Sequence, residues 1–162
     1  MKNEFVIPRY ILATKNIRFL NFIIDIFLIN ILRIIIYSVS ALIPYKNGSL
    51  LDLLISYDRL QSLLFFSLLM FIYYSLLEIL FSKTISKYIT NTIVVMKDGT
   101  KPNHLNILGR SLLRLVPFEY LTFLQGRKLG LHDENSSTFV VIQSKLERCM
   151  NEFYEIKEIE SK

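Results

Sequence analysis

The chain has 162 residues, of which 52% are apolar and 20% are charged, and its formal net charge is +5. This length corresponds to one ordinary domain, and the apolar total alone does not decide its class. The distribution excludes a simple soluble globule, because the apolar residues are concentrated in two blocks of more than 20 residues. A secreted disulfide scaffold is also excluded, since Cys149 has no second cysteine with which to pair.

The two apolar blocks cover about residues 19–43 and 60–81. At about 1.5 Å per residue, each exceeds the roughly 30 Å of a bilayer core, so both are predicted to be transmembrane helices. The first block is also longer than the apolar region of a signal peptide, which has about 7–15 residues. The sequence therefore predicts an all-α membrane protein built on a helical hairpin with two spans.

The basic residues predict how this hairpin is oriented. Segment 1–18 has four of them, loop 44–59 has two, and the chain after residue 82 has twelve of the nineteen. Basic residues beside spans normally face the cytoplasm and its anionic lipid surface. We therefore expect both termini in the cytoplasm and the loop outside. The lipid bilayer accounts for the positive charge, so no nucleic acid is expected as a partner.

Polar side chains interrupt both spans. Arg18, Asn21 and Asp25 lie on one side of the first helix, and Glu78 lies near the end of the second. A carboxylate in this position costs about 2.5–3.5 kcal/mol near a helix centre, so it should face protein or water. Asp25 is interpreted either as an ion or proton site or as part of a structural charge cluster. For Glu78 we favour the structural interpretation, with a carboxylate that reaches towards the membrane surface.

A third apolar segment is predicted to lie in the cytoplasmic interface. In a helix over about residues 103–116, one face is apolar, and the opposite face includes Arg110 and Arg114. A third span over 105–124 is the alternative, but it would move basic residues outside. These two arginines, together with Arg18, would be available as counter-charges for Asp25 and Glu78.

Two β-branched runs, Thr92–Met96 and Thr138–Ile142, predict a small two-stranded β element, with Asp98-Gly99 forming a turn after the first strand. Residues 1–142 would then form the membrane domain, and 143–162 a charged cytoplasmic tail. We favour a solvated helix for this tail. The alternative is that its apolar stripe docks a partner.

Catalytic chemistry has little support in the sequence. His132 and Asp133 are adjacent, which is not the geometry of a catalytic pair, and a hydrogen-bonded loop cluster is the better interpretation. No Cys or His spacing indicates a metal site. We therefore expect no enzymatic activity, no catalytic residues, no metal and no cofactor.

Taken in order, the polar positions resemble the RDD family of bacterial integral membrane proteins, named for one arginine and two aspartates. The resemblance covers about residues 10–142, and it is based on these positions: Arg18, Asp25, Tyr73-Tyr74-x3-Glu78, Thr84-x2-Lys87, Val94-Val95-x2-Asp98-Gly99-x2-Pro102, Arg110-Ser111-x2-Arg114-x2-Pro117-Phe118-Glu119, Leu131-His132-Asp133 and Ser137-Thr138-x-Val140-Val141. It implies that Arg18 and Asp25 are the named arginine and first aspartate, and that Asp133 is the second. The family usually has glycines on either side of the threonine after the second span, where this chain has Ser82 and Ser86.

The resemblance implies a protein of a bacterial inner membrane that takes part in transport, such as exchange of a cation for a proton. Since two spans cannot enclose a pathway, transport would require a homo-oligomer or a larger membrane complex. The alternative is a non-transporting anchor or assembly module, whose basic cytoplasmic face binds a protein partner or anionic lipid.

Overall fold

The computed structural model describes residues 5–45, 48–49, 59–115 and 138–160. Two long helices dominate it: α1, Lys15–Ala41, and α2, Arg59–Phe81. Both are long and apolar enough to cross a membrane, which confirms the two predicted apolar helices. α1 begins earlier than expected because Thr14 caps it, accepting a hydrogen bond from the backbone N–H of Ile17.

The two long helices expose apolar side chains and bury polar ones. Their exposed apolar residues are Phe19, Leu20, Ile23, Phe27, Ile31, Leu32, Ile34, Ile35 and Val39 on α1, and Leu60, Leu63, Leu64, Leu68, Ile72, Leu76, Leu80 and Phe81 on α2. Ile29, Leu69, Met70, Tyr73 and Tyr74 form an apolar core cluster between them. This outward-facing apolar surface is what lipid contact requires.

Four short elements accompany the spans. Strands β1, Pro44–Tyr45, and β2, Gly48–Ser49, form a small antiparallel pair after α1. Helix α3, Ile85–Ile89, follows α2 and was not predicted. Helix α4, His104–Leu113, lies within the predicted range 103–116, and Asn103 caps it through a bond from the N–H of His104 to Oδ1. The rest of the segment 105–124, beyond Leu115, lies outside the described residues.

The orientation of α4 differs from that of an ordinary amphipathic helix. Its two faces are divided as expected, but Arg110 is fully buried and Arg114 nearly so, whereas Leu105 and Leu112 are 73% and 56% exposed. The arginines face inward because Glu78, a residue of α2, lies there. They are therefore not available on the surface for binding lipid or a partner.

The two predicted strands are confirmed as an antiparallel pair, β3, Thr92–Met96, and β4, Thr138–Ile142. The predicted turn also forms, with Gly99 at a φ of +82° that favours glycine. The N-terminal segment lies against this sheet, since the N–H of Ala13 donates to the carbonyl of Val140 at 2.9 Å. Two strands alone are marginal in water, and this segment extends the sheet.

The final helix, α5, Gln143–Glu160, packs against the sheet. Leu146 is 5% exposed, in a core that it shares with Ile11, Val95 and Val141. Most other α5 residues are exposed, as expected of a solvated helix. Part of the apolar stripe that we considered for partner docking is thus used within the molecule itself.

Leu146→Ala is expected to destabilise the protein by about 2–3 kcal/mol, because it leaves a cavity beneath α5. Ile159→Ala, at a position on the same helix that is 74% exposed, is the matched control and should change little. Protease susceptibility of the C-terminal helix measures the effect. Equal susceptibility of the two variants would contradict the docked position of α5.

A tight turn joins α2 to α3. Ser82 has a φ of +56°, in the left-handed region that favours glycine. Backbone bonds hold it there, from the N–H of Ser82 to the carbonyl of Glu78 at 2.9 Å and from the N–H of Val94 to the carbonyl of Ser82 at 3.0 Å. The turn therefore forms although serine replaces the glycine that is usual in the family.

Ser82→Gly is expected to stabilise the protein by about 0.5–1 kcal/mol, because it relieves this backbone strain. Asn91 has a similar φ of +51° and provides the comparison. Since asparagine tolerates this conformation, Asn91→Gly should stabilise the protein less. Thermal unfolding in mild detergent measures both changes, and a lower midpoint for Ser82→Gly would refute the strain argument.

Candidate functional site

Asp25 is buried between the two spans, with 2% of its surface exposed. Its Oδ1 accepts a hydrogen bond from the Tyr73 hydroxyl at 2.8 Å and a longer one from the N–H of Ser86 at 3.4 Å. Its Oδ2 accepts a hydrogen bond from the Thr84 hydroxyl at 2.8 Å. Within the described residues, the carboxylate is therefore held by neutral donors, and no basic side chain forms a salt bridge with it.

Glu78 has the opposite environment. It is fully buried, and its Oε1 binds the Lys87 ammonium and lies 3.0 Å from Nη1 of Arg114. Its Oε2 lies 3.2 Å from Nε of Arg110. Three cations thus surround one carboxylate. The sequence led us to expect that Glu78 would reach the membrane surface, and this expectation is wrong, because its partners hold it inside the protein.

The short helix α3 joins these two environments. Thr84 and Ser86 hold Asp25, while Lys87 in the same turn of chain binds Glu78. Burial and the positive charges of the two arginines together lower the pKa of the Lys87 ammonium to about 8, although the negative charge of Glu78 opposes this shift. α3 therefore contacts both carboxylates and connects the surroundings of Asp25 to those of Glu78.

The two arginines of α4 extend the cluster in different directions. Nη1 of Arg110 donates to the Thr138 hydroxyl at 2.7 Å and so connects Glu78 to strand β4. The guanidinium of Arg114 lies over the Tyr74 ring, 4.2 Å from its centroid. A stacked arginine is held by its flat face as well as by its charge. The polar cluster therefore ties α2, α4 and the sheet together.

The remaining polar residues of α1 lie towards the sheet. Asn21 donates to the Thr92 hydroxyl at 3.1 Å and accepts a hydrogen bond from the Thr90 hydroxyl at 2.6 Å. Nε of Arg18 donates to the carbonyl of Ala13 at 3.1 Å. Arg18, Asn21 and Asp25 are all buried, so one face of α1 is polar and faces the protein, as its spacing indicates.

Comparison with known families gives a match to the RDD family over residues 13–142. This is most of the chain, and it includes both spans, the polar cluster and the sheet. The chain belongs to the RDD family. Comparisons with curated proteins and with solved structures gave no match.

In this RDD protein, the structure brings together most of the polar residues singled out in the sequence. Asp25 and Glu78 are both buried and both contact the chain around α3, and Arg110 and Arg114 join Glu78. Asp25 does not share these counter-charges, contrary to expectation. His132 and Asp133, and with them the second named aspartate, lie outside the described residues.

Three side chains that hold the two carboxylates were not among those expected at the site: Tyr73, Thr84 and Lys87. Each appears in the pattern that resembles the family, and that pattern was the only signal available for them. The local sequence around Tyr73 is typical of an apolar membrane helix, and the polar residues after α2 are typical of an ordinary loop. Tyr73 and Thr84 bind Asp25 from 48 and 59 residues further along the chain. Contacts between residues so far apart in sequence cannot be inferred from local spacing.

Proposed function

We propose that this RDD protein is a component of membrane transport that exchanges a cation for a proton. The observation that supports this best is the contrast between its two buried carboxylates. Glu78 contacts three cations, whereas the hydrogen bonds to Asp25 within the described residues all come from neutral donors. A buried negative charge without a paired basic side chain is suited to bind a proton or a small cation.

The oxygen atoms around Asp25 fit the same role. The hydroxyls of Tyr73 and Thr84 contact the carboxylate, and the Ser86 hydroxyl lies 3.0 Å from that of Thr84. A hydroxyl can rotate to accept as well as donate, so these oxygens are able to turn towards a bound cation. Carboxylate and hydroxyl oxygens are the ligands that hard cations prefer. Asp25 would be the group that carries the charge.

Transport requires more than one copy of this chain or a larger complex. Two helices cannot surround a pathway, and Asp25 is closed off in the single chain. We therefore propose a homo-oligomer or a larger membrane complex, and no nucleic acid as a partner. We also propose no catalytic activity, since in the described part of the chain the buried charged side chains bond to one another, to hydroxyl groups or to the backbone.

We further propose a bacterial inner membrane, with both termini in the cytoplasm and α4 lying in the plane of the interface. The positive charge after residue 82 supports this orientation. So does the contact between the N-terminal segment and β4, because it requires both to be on the same side. The exposed Leu105 and Leu112 support the placement of α4 against lipid.

The test is cation-driven proton flux in vesicles that contain only the purified protein. Addition of a monovalent cation should release protons from wild-type vesicles and should not do so from empty ones. The oligomeric state in mild detergent provides the second measurement. A stable monomer with no flux would eliminate transport by this chain alone.

The second candidate is a non-transporting membrane module, and the α5 helix supports it. One face of α5 packs against the sheet through Leu146. The rest of the helix is mostly exposed and carries many charged residues. Such a surface suits a protein partner, and the polar cluster would then only hold the spans together. Loss of partner binding on changing exposed α5 residues, in a protein without flux, would favour this function.

A further inference from the structure

The short helix α3 exposes apolar side chains and buries polar ones, as helices at a membrane surface do. Ile85, Tyr88 and Ile89 are three and four positions apart, so they share one face, and that face is exposed, with Ile89 at 68%. Ser86 and Lys87 lie on the inner side and are buried. A helix in contact with water would have these two faces reversed.

The exposed face of α3 continues an apolar surface that begins on α2. Leu80 and Phe81, the last two residues of the span, are both more than half exposed. Leu105 and Leu112 of α4 are exposed as well. In water, so many apolar side chains at the end of a membrane span would make a costly patch.

Two lysines beside this apolar surface make contacts that are typical of the boundary between lipid and water. The Lys83 ammonium lies 5.0 Å from the centroid of the Tyr88 ring. Nζ of Lys101 donates to the carbonyl of Leu80 at 3.2 Å, which satisfies an open carbonyl in the last turn of α2. Long basic side chains and tyrosines are enriched at this level of a membrane, where an apolar stem meets a polar head group.

The sheet shows the opposite polarity. Its core is apolar and includes Val95, Val141 and Leu146, and the outer face of α5 is charged. Around α3 and α4, the exposed side chains are mostly apolar and the buried ones are mostly polar. Around the sheet, the buried side chains are mostly apolar and the exposed ones on α5 are mostly charged. A change of this kind is expected where a protein leaves the bilayer.

We infer that α3 lies in the cytoplasmic leaflet beside α4, with Ile85, Tyr88 and Ile89 in contact with lipid. The inference rests on the proposed in-plane placement of α4 and adds a second helix to it. The cluster around Glu78 then lies below the lipid head groups, within the membrane.

Single tryptophans provide the test, because the chain has none. Ile89→Trp reports on α3, and Leu112→Trp reports on α4. Ile72→Trp, on the exposed face of α2, is the control within the membrane, and Ile156→Trp, on exposed α5, is the control in water. Each variant is reconstituted in vesicles of lipids brominated on the acyl chain, either close to the head group or near the chain end.

Ile89→Trp and Leu112→Trp should lose emission mainly in the vesicles brominated close to the head group. Ile72→Trp should be quenched more by bromine deeper in the chain, and Ile156→Trp by neither. Quenching of Leu112→Trp without quenching of Ile89→Trp would overturn the inference for α3 and leave the placement of α4 intact. If neither is quenched while Ile72→Trp is, both placements are wrong.

Tyr88→Trp is a second reporter for α3 in case Ile89→Trp does not fold. Tyrosine and tryptophan are similar in their preference for the interface, and Tyr88 is more than half exposed. Absence of quenching of Tyr88→Trp would overturn the inference in the same way. Because the readout is contact with lipid, its result does not depend on whether the protein transports a cation.

Discussion

Glu78→Gln is expected to destabilise the folded protein by about 3–5 kcal/mol, which is the usual cost of removing one partner from a buried ion pair. The glutamine keeps the volume of the side chain but removes its charge. Lys87, Arg110 and Arg114 then lose the negative charge that all three contact. Unfolding by increasing fractions of denaturing detergent measures the change.

The control for this prediction is Glu155→Gln, at an exposed position of α5. It should alter stability by no more than about 0.5 kcal/mol. Combining Glu78→Gln with Lys87→Met should recover part of the loss, because the double variant has one buried cation fewer and the two side chains are in contact. If Glu78→Gln were as stable as wild type, the cluster would not hold the spans together.

The spans and strands could be predicted because their signals are local. A run of more than 20 mostly apolar residues is long enough as a helix to cross a bilayer, and the β-branched runs at Thr92–Met96 and Thr138–Ile142 are typical of strands. The two faces of α4 also follow from its own spacing. Boundaries were less accurate, since a cap at Thr14 moved the start of α1.

The direction in which these faces point could not be predicted, because it depends on partners elsewhere in the chain. Arg110 is buried because Glu78, on a different helix, needs counter-charges. Asp25 obtains its donors from α2 and from the turn before α3, so its spacing on α1 did not show that the arginines would bind Glu78 instead. Helix α3 has only five residues, too few for periodicity to show.

Asp25→Asn should separate a transport site from a structural one. The asparagine oxygen can still accept from Tyr73 or Thr84, so the fold should be retained with a modest loss of stability. A cation, in contrast, loses the only charge at this position. A charged contact worth about 3 kcal/mol corresponds to a loss of about 100-fold in cation-dependent proton flux. The flux is measured per folded protein in reconstituted vesicles.

Two variants show whether the charge or the hydrogen bonds matter. Tyr73→Phe removes one donor to Asp25 but keeps the carboxylate, so it should reduce flux far less than Asp25→Asn. Asp98→Asn changes a carboxylate in the exposed turn after β3 and should leave flux unaltered. If Asp25→Asn had wild-type flux while it lost stability, Asp25 would be a structural residue. The neutral donors around it would then serve only to hold α1 against α2 and α3.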